Sequence, residues 1–255
     1  MDRKTIANMF EDDEKNEALG LYDKYILAFE KDITVFGNSF YPPNIWSYFQ
    51  NLLVGNLVKM DTYGFFEESE RRMICFNNMY NVEFPVKVIK VENKSKFKRL
   101  THRDYLGAIL SLGVKRNKIG DLLVKDDECY FPSCEEIEDF IISNLSKVGN
   151  CPVKVSLVQD NDVVPCIEFT EEIIQVQSLR IDSIVSKLSR TSRSKAQEII
   201  DEGKVLVNYS RTRDKSKEIK VNDRITIRGI GKFILGEQVG NTKSNKIKIK
   251  VKKYT

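Results

Sequence analysis

The stretch LRIDSIVSKLSRTSRSKAQEIIDEGKVLVN, residues 179–208, decides how the C-terminal part of this chain folds. Its first apolar residues recur at i, i+3, i+4 and i+7, which is the spacing of one buried helical stripe. A second helix is predicted to begin at Ser192, whose hydroxyl accepts from first-turn amides, and to end at Gly203, which adopts a left-handed conformation at little cost. Val205 and Val207 then alternate as in a strand. The stripe residues are Ile181, Ile184, Val185 and Leu188.

The basic residues of this stretch lie outside the apolar stripe, so they are expected to face solvent. Arg193 and Lys195 coincide with the start of the second helix, where free backbone amides and the helix dipole favour an anion. We therefore predict a surface that contacts the phosphates of RNA, with Arg193 as its strongest single candidate. The predicted RNA-binding residues are Arg180, Lys187, Arg190, Ser192, Arg193, Ser194, Lys195, Lys204 and Asn208.

Charge is divided unevenly along the chain. Residues 178–255 contain 20 Lys and Arg against 8 Asp and Glu, a net charge of +12, whereas residues 1–177 contain 21 against 29, a net charge of −8. The overall charge of +4 conceals this division. The C-terminal part therefore attracts nucleic acid by its bulk charge, and any RNA contact in the N-terminal part must be local.

The C-terminal stretch resembles the S4 RNA-binding domain. The shared features are an R-x-D helix, an S-R-S-x-A helix start, a terminal Gly, a V-x-V-N strand and a turn before a closing strand. In the last of these, Asn222 replaces the usual Gly, and asparagine tolerates a left-handed conformation. The matching residues are Arg180-Ile181-Asp182, Ser192-Arg193-Ser194-Lys195-Ala196, Gly203, Val205-Leu206-Val207-Asn208 and Val221-Asn222-Asp223-Arg224-Ile225.

Apolar runs and helical stretches alternate through the middle of the chain in the order β-α-β-β-α-β. This order predicts a ferredoxin-like or RRM-like layer of two helices on a four-stranded sheet. Tyr130 and Phe131 are adjacent in a predicted strand and point to opposite faces, so at most one of them can stack on a base there. The segments are Val86 to Val91, Arg103 to Leu112, Ile119 to Val124, Cys129 to Phe131, Glu135 to Leu145 and Val153 to Val158.

The whole chain is predicted to be an α+β protein of three parts. Residues 1–80 are expected to form a helical N-terminal region with a strand at its end, and Pro42-Pro43 marks one helix start. Residues 81–170 form the RRM-like domain, and residues 178–255 form the S4 domain. The alternating C-terminal run Lys246 to Lys252 is interpreted as a strand that protects a sheet edge, with an extension of the RNA surface as the alternative.

The segment from Thr101 to Val124, together with Glu70-Arg71-Arg72 and the C-terminal S4 module, resembles the YlmH family of bacterial S4-domain proteins. That resemblance covers most of the chain. It implies binding to ribosomal RNA and the large ribosomal subunit, and a link to the rescue of stalled complexes that carry peptidyl-tRNA. It also implies a genomic association with cell-division genes.

A second RNA-facing patch is predicted around the turn at Gly113, because basic residues cluster there and loops often carry function. Its residues are Arg103, Lys115, Arg116 and Lys118. The only histidine, His102, precedes a predicted helix beside Asp104, where capping or salt bridging is the favoured interpretation. Acid-base catalysis by His102 needs a partner that the sequence does not identify, so no catalytic residue is assigned.

Five cysteines are irregularly spaced, which argues against a disulfide framework and against a paired-thiolate zinc site. They are interpreted as small buried hydrophobic residues, and neither a metal nor a cofactor is expected. No apolar run has the length of a membrane span and no secretory signal is apparent, so a cytoplasmic protein is expected. The cysteines are Cys75, Cys129, Cys134, Cys151 and Cys166.

Enzymes that carry S4 domains are the main competing class. This chain lacks a motif that each of these enzymes requires. A tyrosyl-tRNA synthetase is expected to have a motif with two histidines, whereas this chain contains a single histidine. The R-L-D segment of a pseudouridine synthase is matched only by Arg180-Ile181-Asp182 inside the S4 helix. Gly229-Ile230-Gly231 lacks the following helix of a methyltransferase cofactor turn.

The sequence therefore predicts a non-catalytic RNA-binding protein that associates with ribosomal RNA and the large subunit. Subunits stalled with peptidyl-tRNA, in ribosome-associated quality control, are the expected context, and tRNA is a second expected RNA partner. One alternative is an interaction factor in cell division or septation that binds a protein through its N-terminal region. Another is an accessory protein in RNA modification.

Overall fold

The chain divides into two compact units, Met1–Cys166 and Ile167–Thr255. The structure is a computed structural model that describes residues 2–10, 12–66, 68–159, 162–166 and 169–254. Hydrophobic clusters form separately within each unit. Both units combine helices with antiparallel strands, which confirms the α+β class.

The N-terminal part of the first unit packs three helices against a three-stranded antiparallel sheet of order β1-β3-β2. Its third helix begins at Pro43, as the proline pair predicts. The sequence pattern does not predict the first strand, because a register shift and a positive φ of 58° at Asn38 interrupt its alternation. The expected helical region therefore also contains a sheet. The elements are α1 (Arg3–Met9), α2 (Asp12–Lys31), β1 (Val35–Tyr41), α3 (Pro43–Leu52), β2 (Met60–Tyr63) and β3 (Arg72–Phe76).

The middle of the first unit forms the predicted β-α-β-β-α-β layer, with one additional short strand. The sheet order is β5-β6-β4-β8-β7, so β4 lies between β6 and β8 and pairs antiparallel with both. This arrangement confirms the RRM-like prediction. The elements are β4 (Val86–Asn93), α4 (His102–Ser111), β5 (Leu123–Lys125), β6 (Glu128–Cys134), α5 (Glu138–Asn144), β7 (Lys147–Val148) and β8 (Cys151–Leu157).

Two of these elements are shorter than the sequence pattern predicts. The expected strand over 119–124 begins only at Leu123, because a 3-10 turn at Arg116–Lys118 and the loop that follows precede it. The expected helix from Glu135 opens with a 3-10 turn at Glu135–Ile137 before α5.

Contacts join the N-terminal part of the first unit to the loop before β5. The Asp121 carboxylate accepts from the backbone amides of Glu70 and Arg71 at 2.5 and 2.9 Å. Asn117 donates to the Glu17 carboxylate at 3.1 Å. Both parts therefore share one compact unit, and a separate domain on each side of residue 80 remains a prediction.

The second unit is a six-stranded antiparallel sheet of order β11-β10-β12-β13-β14-β9, and its core includes residues of both helices. All four residues of the predicted helical stripe are buried there. Gly203 and Asn222 have positive φ values of 68° and 69°, as their turns require. The elements are β9 (Phe169–Val176), α6 (Ile181–Leu188), α7 (Arg193–Asp201), β10 (Val205–Val207), β11 (Ser210–Arg211), β12 (Arg224–Ile227), β13 (Gly231–Asn241) and β14 (Ile247–Tyr254).

The C-terminal strand β14 lies inside this sheet rather than at its edge. It pairs with β13 on one side and with β9 on the other, in register from Ile247↔Val176 to Tyr254↔Phe169. On that side of the sheet the edge strand is β9, which precedes residue 178, where the sequence places the start of the module. The interpretation of the lysine-rich run as edge protection is therefore wrong.

A pair of glycine substitutions tests the packing of the first unit. A Cβ at Gly120 would lie 2.5 Å from Cγ of Pro132, whereas a Cβ at Gly107, in the middle of α4, has no atom within 4 Å. We expect Gly120→Ala to lower the free energy of unfolding by about 1–3 kcal/mol through overpacking. Gly107→Ala should raise it by about 0.5–1 kcal/mol, because glycine is unfavourable inside a helix. Denaturant unfolding of both variants measures this, and shifts of the same sign would contradict the packing.

Candidate nucleic-acid interface

A buried carboxylate organises the basic face of the second unit. Asp182, near the start of α6, has no exposed surface. Arg180 donates to it through Nε at 3.3 Å and through Nη2 at 3.3 Å. Arg193, at the start of α7, donates through Nε at 3.0 Å and lies 2.8 Å away at Nη2. Gln197 adds a hydrogen bond at 3.2 Å, and these four residues are called the Asp182 clamp.

The clamp keeps its carboxylate ionised although the side chain is buried. Burial acts to raise the pKa of Asp182, but the hydrogen bonds from Arg180, Gln197 and Arg193 outweigh it, and the pKa lies below its ordinary value. A buried charge is costly unless it is paired and hydrogen-bonded. The two arginines therefore satisfy a requirement of the fold and are held in fixed positions by it.

The same arginines remain available to solvent. The side chain of Arg180 is 43% exposed and that of Arg193 is 49% exposed. A guanidinium carries five N–H donors, and the contacts with Asp182 leave some of them unused. The clamp thus presents two pre-positioned cations, which suits the bidentate binding of a phosphate.

The start of α7 lies beside the clamp and carries the other residues of the predicted helix start. The Ser192 hydroxyl accepts from the Lys195 amide at 3.2 Å, so Ser192 is the cap that the sequence predicts. Ser194 and Lys195 are exposed. The Lys195 ammonium lies 2.5 Å from Glu198, and such exposed pairs contribute little, so an incoming phosphate can replace the carboxylate.

Two further predicted residues have partners within the fold. Lys204 lies 2.6 Å from Glu202 in an exposed ion pair. Asn208, with a positive φ of 48°, donates to Asp223 at 2.8 Å and accepts from the Arg224 amide at 2.9 Å. The Asn208 side chain therefore braces a turn, and both of its polar groups are engaged in that turn.

Lys187 and Arg190 are exposed and lie at the far end of α6 from the clamp. Neither forms a salt bridge with another residue that the structure describes. They line a surface cavity of about 270 Å³ that has an apolar wall. The lining residues are Glu172, Ile174, Lys187, Leu188, Ser189, Arg190, Ile230, Phe233 and Lys253.

Lys253 of β14 is a third cation at this cavity, and it is not among the RNA-binding residues predicted from the sequence. Its place opposite Phe233 comes from the pairing between β13 and β14. That pairing joins residues distant in sequence from α6, so no local pattern indicates that Lys253 joins Lys187 and Arg190.

The predicted second patch is only partly a surface feature. Arg103 and Lys115 are exposed. Arg116 instead donates to the carbonyl oxygens of Ile119 and Gly120 at 2.8 and 3.0 Å, and burial, with the nearby charge of Arg71, lowers its pKa to about 10. Arg116 is therefore less exposed than Arg103 and Lys115, and its guanidinium is bound by the following loop.

Lys118, the fourth residue of that patch, is also engaged within the first unit. Its ammonium donates to the Asn38 carbonyl at 2.8 Å and lies 2.5 Å from Glu136. His102 is the first residue of α4, but the helix cap is made by Thr101 and Asp104 in a reciprocal capping box. The cap is therefore formed without His102, and the salt-bridging alternative for His102 stays a prediction.

The cysteines differ from one another in burial. Four are buried as predicted, whereas Cys166 is exposed, so its interpretation as a buried residue is wrong. Within the residues that the structure describes, no group of three His, Cys, Asp or Glu side chains is arranged to hold a metal ion. Over the same residues, no helix has both the length and the apolar character needed to cross a membrane.

Replacing the clamp carboxylate tests its role in the second unit. We expect Asp182→Asn to lower the free energy of unfolding by about 1–3 kcal/mol near neutral pH, because the neutral amide removes the ion pairs with both arginines and replaces one acceptor oxygen by a donor. The folded-state pKa of Asp182 is lowered, so its stabilisation is present above the ordinary aspartate pKa and disappears as pH falls through the folded value.

Urea unfolding of both proteins between about pH 7 and pH 3 measures this difference, which should shrink in acid. Glu237→Gln is the matched control, because Glu237 is an exposed acid on β13. A gap between Asp182→Asn and the unsubstituted protein that stays constant with pH would contradict the role of the charge.

Comparison with known proteins matches two parts of the chain to family models. The model described as "Putative RNA-binding domain in YlmH" matches residues 80–162, and the S4 domain model matches residues 179–225. A relative, "Ribosome-associated protein quality control protein P2" of Bacillus subtilis (strain 168), is 29% identical over 191 residues, which cover 73% of this chain and 74% of the relative.

A solved structure is also similar: "Cell division protein ylmH from Streptococcus pneumoniae", at 21% sequence identity and a TM-score of 0.46, covers 59% of this chain and 94% of that chain. The two matched models lie in succession along one chain, and the match to the Bacillus relative spans most of both proteins. The chain therefore combines a region that matches the RNA-binding domain of YlmH with an S4 domain, and these matches support the YlmH family of S4-domain RNA-binding proteins.

Proposed function

We propose that this protein is a non-catalytic RNA-binding protein of the cytoplasm that associates with the large ribosomal subunit. The basic face of the second unit carries this proposal, because the Asp182 clamp holds Arg180 and Arg193 half-exposed beside the start of α7. Cations fixed before binding lose little conformational freedom when they meet a phosphate. The contacts are electrostatic, and the shape of a structured RNA supplies selection.

The charge of the chain supports RNA as the ligand. The +12 net charge of residues 178–255 is concentrated in the part of the chain that carries the clamp. Such a field attracts a polyanion and accelerates its association. Residues 1–177 have a net charge of the opposite sign, so the second unit supplies most of the long-range attraction.

The proposed context is ribosome-associated quality control, on large subunits that carry peptidyl-tRNA. The name of the Bacillus relative supports this context, since it describes that protein as a ribosome-associated quality control protein. Ribosomal RNA is the proposed main ligand, and tRNA on the same subunit is a proposed second contact.

Charge reversal at the cavity end of the basic face separates RNA binding from folding. Arg193 is a poor site for this test, because its reversal would also place a carboxylate against Asp182. Lys187 and Arg190 are exposed and support no such buried charge. We expect Lys187→Glu with Arg190→Glu to weaken cosedimentation with isolated large ribosomal subunits.

The salt dependence gives the quantitative readout. The slope of log affinity against log salt should become shallower by about 0.7–0.9 for each phosphate that the variant no longer neutralises. Lys59→Glu with Lys4→Glu makes the same charge change on exposed residues of the first unit and should leave the slope unchanged. Equal cosedimentation of both double variants with the unsubstituted protein would refute the assignment of this face.

A further inference from the structure

The open face of the RRM-like sheet does not offer an exposed ring at its central aromatic position. Phe131 has no exposed surface and belongs to the core on the helix side. Tyr130 is only 3% exposed, its hydroxyl donates to Glu128, and the Lys90 ammonium lies 5.5 Å from its ring centroid. Neither ring is therefore positioned to stack on a base from solution.

An exposed aromatic side chain instead lies in the loop between β4 and α4. Phe97 is 100% exposed, in the sequence Lys94-Ser95-Lys96-Phe97-Lys98-Arg99. The basic residues of this run are all exposed, and only Lys94 is in a salt bridge, with Glu92, among the residues described. A ring between cations is the combination that single-stranded RNA binding requires, since the ring stacks on a base and the cations bind phosphates.

Hydrogen bonds and a buried leucine hold the backbone of this loop in place, so the position of Phe97 is defined. Asn93, only 8% exposed, donates through Nδ2 to the Lys98 carbonyl at 2.7 Å and accepts at Oδ1 from the Ser95 amide at 3.0 Å. The Lys94 amide donates to the Pro152 carbonyl at 3.0 Å. Leu100, at 4% exposure, anchors the end of the loop in the core.

We propose that this loop is a second RNA contact, in which Phe97 stacks on an unpaired base and Lys96, Lys98 and Arg99 bind the adjacent phosphates. The inference rests on the proposed RNA-binding function and adds to it a site in the first unit. RNA is favoured over a protein partner because the run 94–100 holds four cations and no acid around the ring. Residues 1–177 have a net negative charge, so an RNA contact there must be local, and this short basic loop is such a local site.

Three substitutions at Phe97 separate stacking from simple hydrophobic contact. The probe is protein-free ribosomal RNA from large subunits, with affinity measured by filter binding. Phe97→Ala and Phe97→Leu should each weaken binding about tenfold, because both lack an aromatic face, while Phe97→Trp should retain it. Binding to RNA should quench the tryptophan emission that Phe97→Trp adds to that of Trp46.

Tyr80→Ala is the matched control, because Tyr80 is 83% exposed in the first unit and the neighbouring run Asn77 to Glu83 contains no cation. It should bind as the unsubstituted protein does. Equal affinities of Phe97→Ala and Tyr80→Ala would overturn the loop proposal. Weaker binding of Phe97→Ala to intact subunits but not to protein-free RNA would also overturn it, because the partner would then be a protein.

The effect of the Lys187 and Arg190 charge reversal on binding shows whether a failure concerns only the loop proposal or also the proposed function. If the Lys187 and Arg190 reversal weakens binding while Phe97→Ala does not, only the loop proposal fails. If the unsubstituted protein binds neither subunits nor RNA, both fail together.

Discussion

The buried carboxylate of Asp182 is the interaction on which the basic face depends. A charge with no exposed surface must be compensated within the protein, and here two arginines and a glutamine supply that compensation. Arg180 and Arg193 come from the starts of two successive helices. One requirement of the fold therefore fixes both the contact between those helices and the position of the cations that they present.

A buried polar side chain has the same effect in the first unit. Asn93 uses both ends of its amide to hold the loop that carries Phe97. In each unit the side chains proposed to meet RNA are exposed, while the group that positions them is buried. This separation allows Lys187, Arg190 or Phe97 to be changed for its effect on binding with little effect on the core, whereas Arg180 and Arg193 also compensate the buried charge of Asp182.

Local patterns predict the parts of this structure that depend on local physics. The stripe of α6, the Ser192 cap and the left-handed Gly203 follow from spacing and residue type, and all are present. Irregular backbone at Asn38 hides β1, because it removes the period on which the prediction of a strand depends. Contacts that form only in the folded chain also cannot be predicted from local sequence. Arg116 is predicted to be a surface cation, but its guanidinium donates to carbonyl oxygens of the following loop.

The pairing of β9 with β14 joins the first strand of the second unit to its last, with Phe169 opposite Tyr254. The two ends of that unit are therefore neighbours in space, which is the geometry that tolerates circular permutation. The same ladder closes the longest loop of the unit, so forming it costs more chain entropy than forming any hairpin of the sheet. A permuted chain that links the two strands directly would turn this distant pairing into a local one and should assemble the sheet faster.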